Sequence, residues 1–193
     1  MSCLPEFHQP ARLSLWGVEE LLSKRKRDDR PALALFTTLG RDERLLRMFF
    51  SGSHIDSAGQ LSLRNREIVI DRICALSGSE YEWGVHVSIF GLHAGLTDEE
   101  IESTARGGPS DACWTEHERV LIAACDQLHA TCNIDDEAWS RLERHFSAEA
   151  ILEILMLAGR YRLVSYLTNA VRMPLEAWAH RFPEGRYPQR HPS

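Results

Sequence analysis

The 193-residue chain has no pair of cysteines at C-x-x-C spacing and no excess of basic charge. It also has no apolar stretch of the roughly 20 residues needed to span a bilayer. Each absence excludes something. The cysteines are Cys3, Cys74, Cys113, Cys125 and Cys132, odd in number and scattered, so they read as reduced thiols rather than a disulfide framework. Cys74 and Cys125 fall inside apolar helical patterns and are expected to be small core residues. Without a long apolar run, no membrane partner is expected. The formal net charge of −6 argues against nucleic acid, because binding phosphates needs a basic face. The one basic run, Lys24-Arg25-Lys26-Arg27, is followed at once by Asp28 and Asp29 and reads as a solvated helix end. The stretch from Met1 to Glu6 lacks a charged region leading into an apolar one, so no secretion signal is expected and the cytoplasm is the expected location. Period-two alternation is almost absent as well, which argues against β-sheet.

What is present is helical periodicity. An apolar fraction of 44% and a charged fraction of 26% suit one well-buried core, and no segment resembles a linker, so a single all-α domain over residues 1–193 is expected, a compact helical bundle. Leu15, Val18, Leu21 and Leu22 mark a first helix; Ala32, Leu35, Phe36 and Leu39 a short second; Leu45, Leu46, Phe49 and Phe50 a third. Ser51 to Gly59 reads as a loop. A longer helix is predicted from Leu63 to Leu76, broken by Gly78, and another from Ser79 to about His93, stopped by Gly95. Thr97 with Glu100, and Thr115 with Glu118, fit capping boxes opening two more. Asp135 or Asp136 caps a helix to about His145, and Ser147 caps the last, to about Val171, before Pro174. The stretch from Phe182 to Ser193 reads as a loosely held tail.

The informative stretch runs from Glu67 to His86. Glu82 and His86 are four apart, hence neighbours on one helical face, and Ser79 is placed one turn earlier, with Trp83, Ile89, Phe90 and His93 projecting nearby. Polar groups removed from water among aromatics cost a few kcal/mol each unless hydrogen-bonded. Such groups either satisfy one another or line a cleft. In an apolar cleft a Glu–His pair has shifted proton affinities, suited to acid–base work. A Glu–His pair at this spacing is also common on helices as a purely structural feature.

The spacing Glu67-x11-Ser79-x2-Glu82-x3-His86 resembles the alkylhydroperoxidase D-type pattern E-x11-C-x2-C-x3-H. Tyr81 stands where a histidine often lies between the two cysteines. Arg66 before Glu67, the Ala94-Gly95-Leu96-Thr97-Asp98-Glu99-Glu100 turn, and the late Arg160-Tyr161 with Asn169 extend the likeness over about residues 30–176, leaving an N-terminal arm 1–29. The Tyr-Glu-Trp-x-x-His version resembles a cysteine-free branch of the carboxymuconolactone decarboxylase-like family. The resemblance implies an all-α bundle assembled as a trimer or hexamer. It also implies either dithiol peroxide reduction or decarboxylation of a small lactone without metal or redox cysteines. Ser79 and Glu82 cannot form a disulfide, so peroxidase activity of the family type is not expected. The expectation is therefore cofactor-free acid–base chemistry, a decarboxylation or isomerisation, on a small organic acid or lactone. His86, Glu67 and Glu82 are its candidate catalytic residues. Ser79, Tyr81 and Trp83 are candidates for substrate binding.

Two other readings stay open. Glu67, Glu82 and His86 are also a possible metal-ligand set, although no paired-histidine or Glu-x-x-His motif supports it. Alternatively the chain is a non-catalytic, small-molecule-binding homo-oligomer. Leu13, Leu15, Trp16, Trp178 and Phe182 are then interface candidates, each also readable as packing over the domain's own core. His117, His129 and His145 are read as lying on separate helices with no shared motif, and Cys125, His129 and Cys132 match no zinc spacing. Asp126 and Gln127 are read as a polar helix face.

Overall fold

Five side chains start five helices in the same way. Ser62, Thr97, Thr115, Asp135 and Ser147 each accept a hydrogen bond from the backbone N–H three residues on, which satisfies a donor that the first helical turn leaves free. Thr97–Glu100 and Thr115–Glu118 are complete capping boxes, as the sequence predicts. The computed structural model describes residues 31–51 and 59–184. Among these residues the regular structure is helical throughout. The helices are α1 (Ala34–Leu39), α2 (Glu43–Ser51), α3 (Leu63–Leu76), α4 (Glu80–His86), α5 (Asp98–Arg106), α6 (Glu116–Thr131), α7 (Asp136–His145) and α8 (Ala148–Ala170). No helix among them is long and apolar enough to cross a membrane. The helix expected around Leu15, the basic run at Lys24, and the interface candidates Leu13 and Trp16 lie outside the described residues.

Helix α3 is the axis of the bundle. It packs against α4, α5, α6 and α8, and every residue from Arg66 to Ala75 is buried. A helix covered on all sides normally carries few charges. Here Arg64 and Arg72, two turns apart, face α5 and α6. The Arg64 Nε donates to Glu118 Oε1 at 2.6 Å, its Nη1 to Gly95 O at 2.7 Å, and its Nη2 pairs with Glu100. Glu100 and Glu118 are the closing residues of the two capping boxes, so a single guanidinium ties both helix starts to the central helix. Arg72 grips Asp126 with two hydrogen bonds, of 2.6 and 3.0 Å, and donates to Thr104 O and Gly107 O. Asp126, read from sequence as part of a polar face, is therefore half of an ion pair that joins α3 to α6.

Two predicted boundaries change. The helix expected to reach His93 keeps α-helical hydrogen bonding only to His86, then widens into a π-helical turn over Val87–Gly91. Such widenings cluster at functional sites, and the apolar 3.6 pattern does not distinguish them from ordinary helix. The tail expected from Phe182 is held at its start, because Phe182 packs on Trp83 with ring centroids 5.1 Å apart and its N–H donates to Glu80. This segment crosses α4 so closely that a Cβ at Gly84 would overlap the carbonyl oxygen of His180. Trp178 is likewise partly buried against the chain's own core. Between α3 and α4, Gly78 takes a left-handed φ of +66°, and Asn169 of α8 donates to Ser77 O at 2.8 Å, which secures the turn.

Arg64→Ala removes the shared partner of two buried carboxylates. We expect it to lower unfolding stability by about 2 kcal/mol while leaving far-UV circular dichroism native-like. Urea denaturation reads the change, and a loss below a few tenths of a kcal/mol would show that the capping boxes stand without it.

Candidate active site

Spacings of four and three put Glu67, Asp71 and Cys74 on one face of α3. All three are fully buried. Helix α4 brings Glu82 and His86 to that face, and α8 brings Tyr161. The imidazole is the centre of the group. Its Nδ1 lies 2.8 Å from Glu67 Oε2, and its Nε2 lies 3.5 Å from Glu82 Oε1. Tyr161 meets the ring edge-on at 5.0 Å, and Phe90 of the π turn lies against it at 5.2 Å. His86 and Tyr161 each keep 4% of their surface open and Glu82 6%, so what access there is to the cluster runs past these three side chains.

Burial alone would depress the basicity of His86. The charge and hydrogen bond of Glu67, then those of Glu82, override it and push its pKa up to about 10. The imidazole is therefore an imidazolium at neutral pH, held between carboxylates. Four buried oxygens in the cluster have no hydrogen-bond partner: Glu67 Oε1, Glu82 Oε2 and both oxygens of Asp71. Burial first, and then the charge of Glu67, holds the Asp71 carboxyl well above the usual carboxylate range, with His86 pulling the other way. Burial also pushes the Cys74 thiol well up, as do the charges of Glu82 and Asp71. That thiol stays protonated and is a poor nucleophile.

The sequence pattern points to six residues here, and the fold brings three of them together: Glu67, Glu82 and His86. The other three are turned to structural partners. Ser79 precedes the first helical residue, with ψ of 78°, so it does not continue the Glu82–His86 face; its Oγ lies 2.8 Å from Thr168 Oγ1. Tyr81 accepts from the Leu35 N–H and donates to Glu176 Oε1 at 2.7 Å, anchoring the start of α1. Trp83 donates to Thr104 Oγ1 at 3.0 Å and packs on Phe182. Asp71 and Tyr161 belong to the cluster although the pattern does not point to them. The first is findable, since it stands four residues after Glu67, the spacing that identifies Glu82 with His86.

The metal reading does not fit this geometry. Glu67 and Glu82 approach opposite nitrogens of one ring, so the three side chains do not converge on a point. Among the described residues, no group of three or more His, Cys, Asp or Glu side chains is placed to hold a metal ion. The remaining histidines differ from their sequence reading in one respect. His117 and His129 share α6, and His117 pairs edge-on with His145 at 5.8 Å while contacting Asn65. His129 faces the Arg162 guanidinium at 2.6 Å.

Residues 43–126 match the carboxymuconolactone decarboxylase family. That match spans α2 to α6, including every α3 and α4 member of the cluster. The chain thus carries a carboxymuconolactone decarboxylase-family segment on an alkylhydroperoxidase D-like fold. Solved structures agree on the fold. A peroxidase-related protein from Silicibacter sp. TM1040 superposes with a TM-score of 0.72 at 17% identity, over 86% of this chain and 88% of its own. An AhpD-type protein of unknown function from Agrobacterium tumefaciens, linked by name to antioxidant defence, gives 0.64 at 20% identity over 70% and 93%. The debrominase Bmp8, as a Cys-to-Ala variant with 2,3,4-tribromopyrrole, gives 0.65 at 18% identity over 75% and 77%. At such identities the likeness concerns fold. No curated protein matches the sequence. Against the alkylhydroperoxidase D-type pattern, this chain keeps the acid and the final histidine and has Ser79 and Glu82 at the sulfur positions.

A pKa raised on folding stabilises the protein fully below the imidazole's unfolded value of about 6.5, and the stabilisation is lost as pH climbs toward the folded value. The stability difference between the wild type and His86→Gln is therefore expected to shrink above about pH 6.5, by at most about 1.4 kcal/mol per pH unit. Urea titrations from mildly acidic to alkaline pH measure it. A difference independent of pH would mean that His86 is not held as an imidazolium.

Proposed function

We propose that the protein is an acid–base enzyme that moves a proton next to a carbonyl, in a decarboxylation or isomerisation of a small organic acid or lactone. The observation that carries this reading is the imidazole gripped between two buried carboxylates, with hydroxyl and carboxylate rather than sulfur at the neighbouring family positions. In this reading His86 transfers the proton through the Nε2 edge, the edge shared with Glu82. Glu67 fixes the ring through Nδ1 and compensates its charge. Tyr161 and Phe90 wall the site and keep water away from the transfer. Peroxide reduction of the family type is disfavoured. Cys74, the thiol closest to the cluster in sequence, is buried and held protonated.

Solvent-deuterium exchange into a panel of small keto acids and carboxylated lactones tests the reading even while the true substrate is unidentified. Exchange by the wild type, abolished in His86→Gln with the helical signal intact, is the expected result. Equal exchange by the variant would remove His86 from the chemistry. No exchange by the wild type on any member of the panel would favour a binding protein over an enzyme.

We also propose that the chain is a homo-oligomer. Its support is a row of exposed apolar residues on α8: Leu152, Met156, Leu163 and Tyr166. They alternate at steps of four and three once Gly159 is counted between them, which is the seam of a helix that packs on another helix. Nothing lies within 4 Å of a Cβ placed on Gly159, so there is room there for a second helix to approach. Sedimentation is expected to show an assembled wild type and a Met156→Lys/Leu163→Lys variant that runs as a monomer. A monomeric wild type would end the proposal, and an unchanged assembly in the variant would remove α8 from the contact.

A further inference from the structure

We propose that Asp71 is a second proton carrier of the site, a neutral carboxylic acid at physiological pH that supplies an O–H donor beside Glu67 and His86. Asp71 lies one helical turn beyond Glu67 on the same face of α3, and it is as fully buried as Glu67. Two carboxylates so close in a dry interior cannot both remain ionised without a cation each. Glu67 has one, since its Oε2 holds the His86 imidazolium. Asp71 has none. Neither of its oxygens has a hydrogen-bond partner, and the next cation on the helix, Arg72, is turned away to Asp126 of α6.

The groups that act on Asp71 are few. On α3 they are Glu67 and the Cys74 thiol, and from α4 it is His86. Glu82 of α4 and Tyr161 of α8 complete the same cluster, and the one further cation, the Arg160 guanidinium of α8, acts on these two. An ionised Asp71 would add a buried charge with no hydrogen-bond partner beside Glu67. A protonated Asp71 adds none, and it turns one of the unpartnered oxygens into a donor. Burial acts in the same direction on its proton affinity. A neutral carboxylic acid of this kind can hydrogen-bond an oxygen that gains charge during reaction, which an ionised one would repel. The role rests on the acid–base reading of His86. Its test reads protons rather than turnover, so either idea can fail alone.

Infrared spectroscopy of the wild-type protein, with aspartate carboxyls labelled with 13C, detects the carbonyl stretch of a protonated aspartic acid directly. The expected result at pH 7 is one such band, absent from Asp71→Asn. No band in the wild type would overturn the proposal, and this holds whether or not the variant folds. Stability gives a second arm. The folded state keeps a proton that the unfolded state releases above about pH 4. Wild-type stability therefore falls relative to Asp71→Asn as pH rises, by up to about tenfold in the folding equilibrium constant per pH unit, and levels off above the folded pKa. A ratio that is flat with pH would contradict a retained proton.

Discussion

Between Arg66 and Ala75, helix α3 is covered on every side, and yet four of those ten residues are acidic or basic: Arg66, Glu67, Asp71 and Arg72. Charges in such a place must be compensated locally, because water cannot reach them. On the face toward α5 and α6 the compensation is complete. Arg72 has a carboxylate and two carbonyls, and Arg64, at the entrance to the buried stretch, has two carboxylates and a carbonyl. Toward α4 and α8 it is not. Glu67 meets one ring nitrogen, Asp71 meets nothing, and oxygens of both stay unpartnered. The same helix thus fastens the bundle with one side and leaves unsatisfied polarity on the other. A fold keeps such a deficit of hydrogen bonding where a ligand or a proton can make it good.

The sulfur-free pattern changes what that polarity is good for. A thiol works as a nucleophile only when its environment favours the thiolate. Around His86 the fixed charges are carboxylates, and they raise the proton affinity of whatever stands beside them, imidazole and thiol alike. Glu82, at one of the pattern's sulfur positions, is itself a source of that effect. The site has become one that holds protons firmly, which opposes thiolate chemistry and agrees with the acid–base role proposed for it.

Legibility in the sequence follows the range of the interaction. Caps are written within four residues, so Thr97 with Glu100 and Thr115 with Glu118 can be read outright, and α3 is bounded correctly by its apolar run and by Gly78. The convergence of Glu67 on His86 needs the family pattern, because nineteen residues and a turn separate them. Ser79 is misplaced by its spacing because one non-helical ψ at the start of α4 turns it out of the face that a regular helix would give it. The π turn after His86, the docking of Phe182 on Trp83, and the double grip of Arg64 depend on contacts between distant segments, for which neither periodicity nor spacing carries a signal. Asp71 is a different case. Its spacing from Glu67 is plain, but the motif that draws attention to Glu67 has no place for it.

The solved neighbours of the fold carry the same lesson. Chains at 17% to 20% identity share the path of the helices and therefore the place where a site can form. They need not share what the site does, since a peroxidase-related protein and a debrominase occupy the same frame. What separates one activity from another in such a frame is the state of a few buried groups: whether a sulfur is there to be oxidised, and which acid keeps its proton. In this chain the first question is answered at Ser79 and Glu82 by composition alone. The second falls to Asp71, the carboxyl with no hydrogen-bond partner, because its protonation decides whether it donates to a reacting oxygen or repels it.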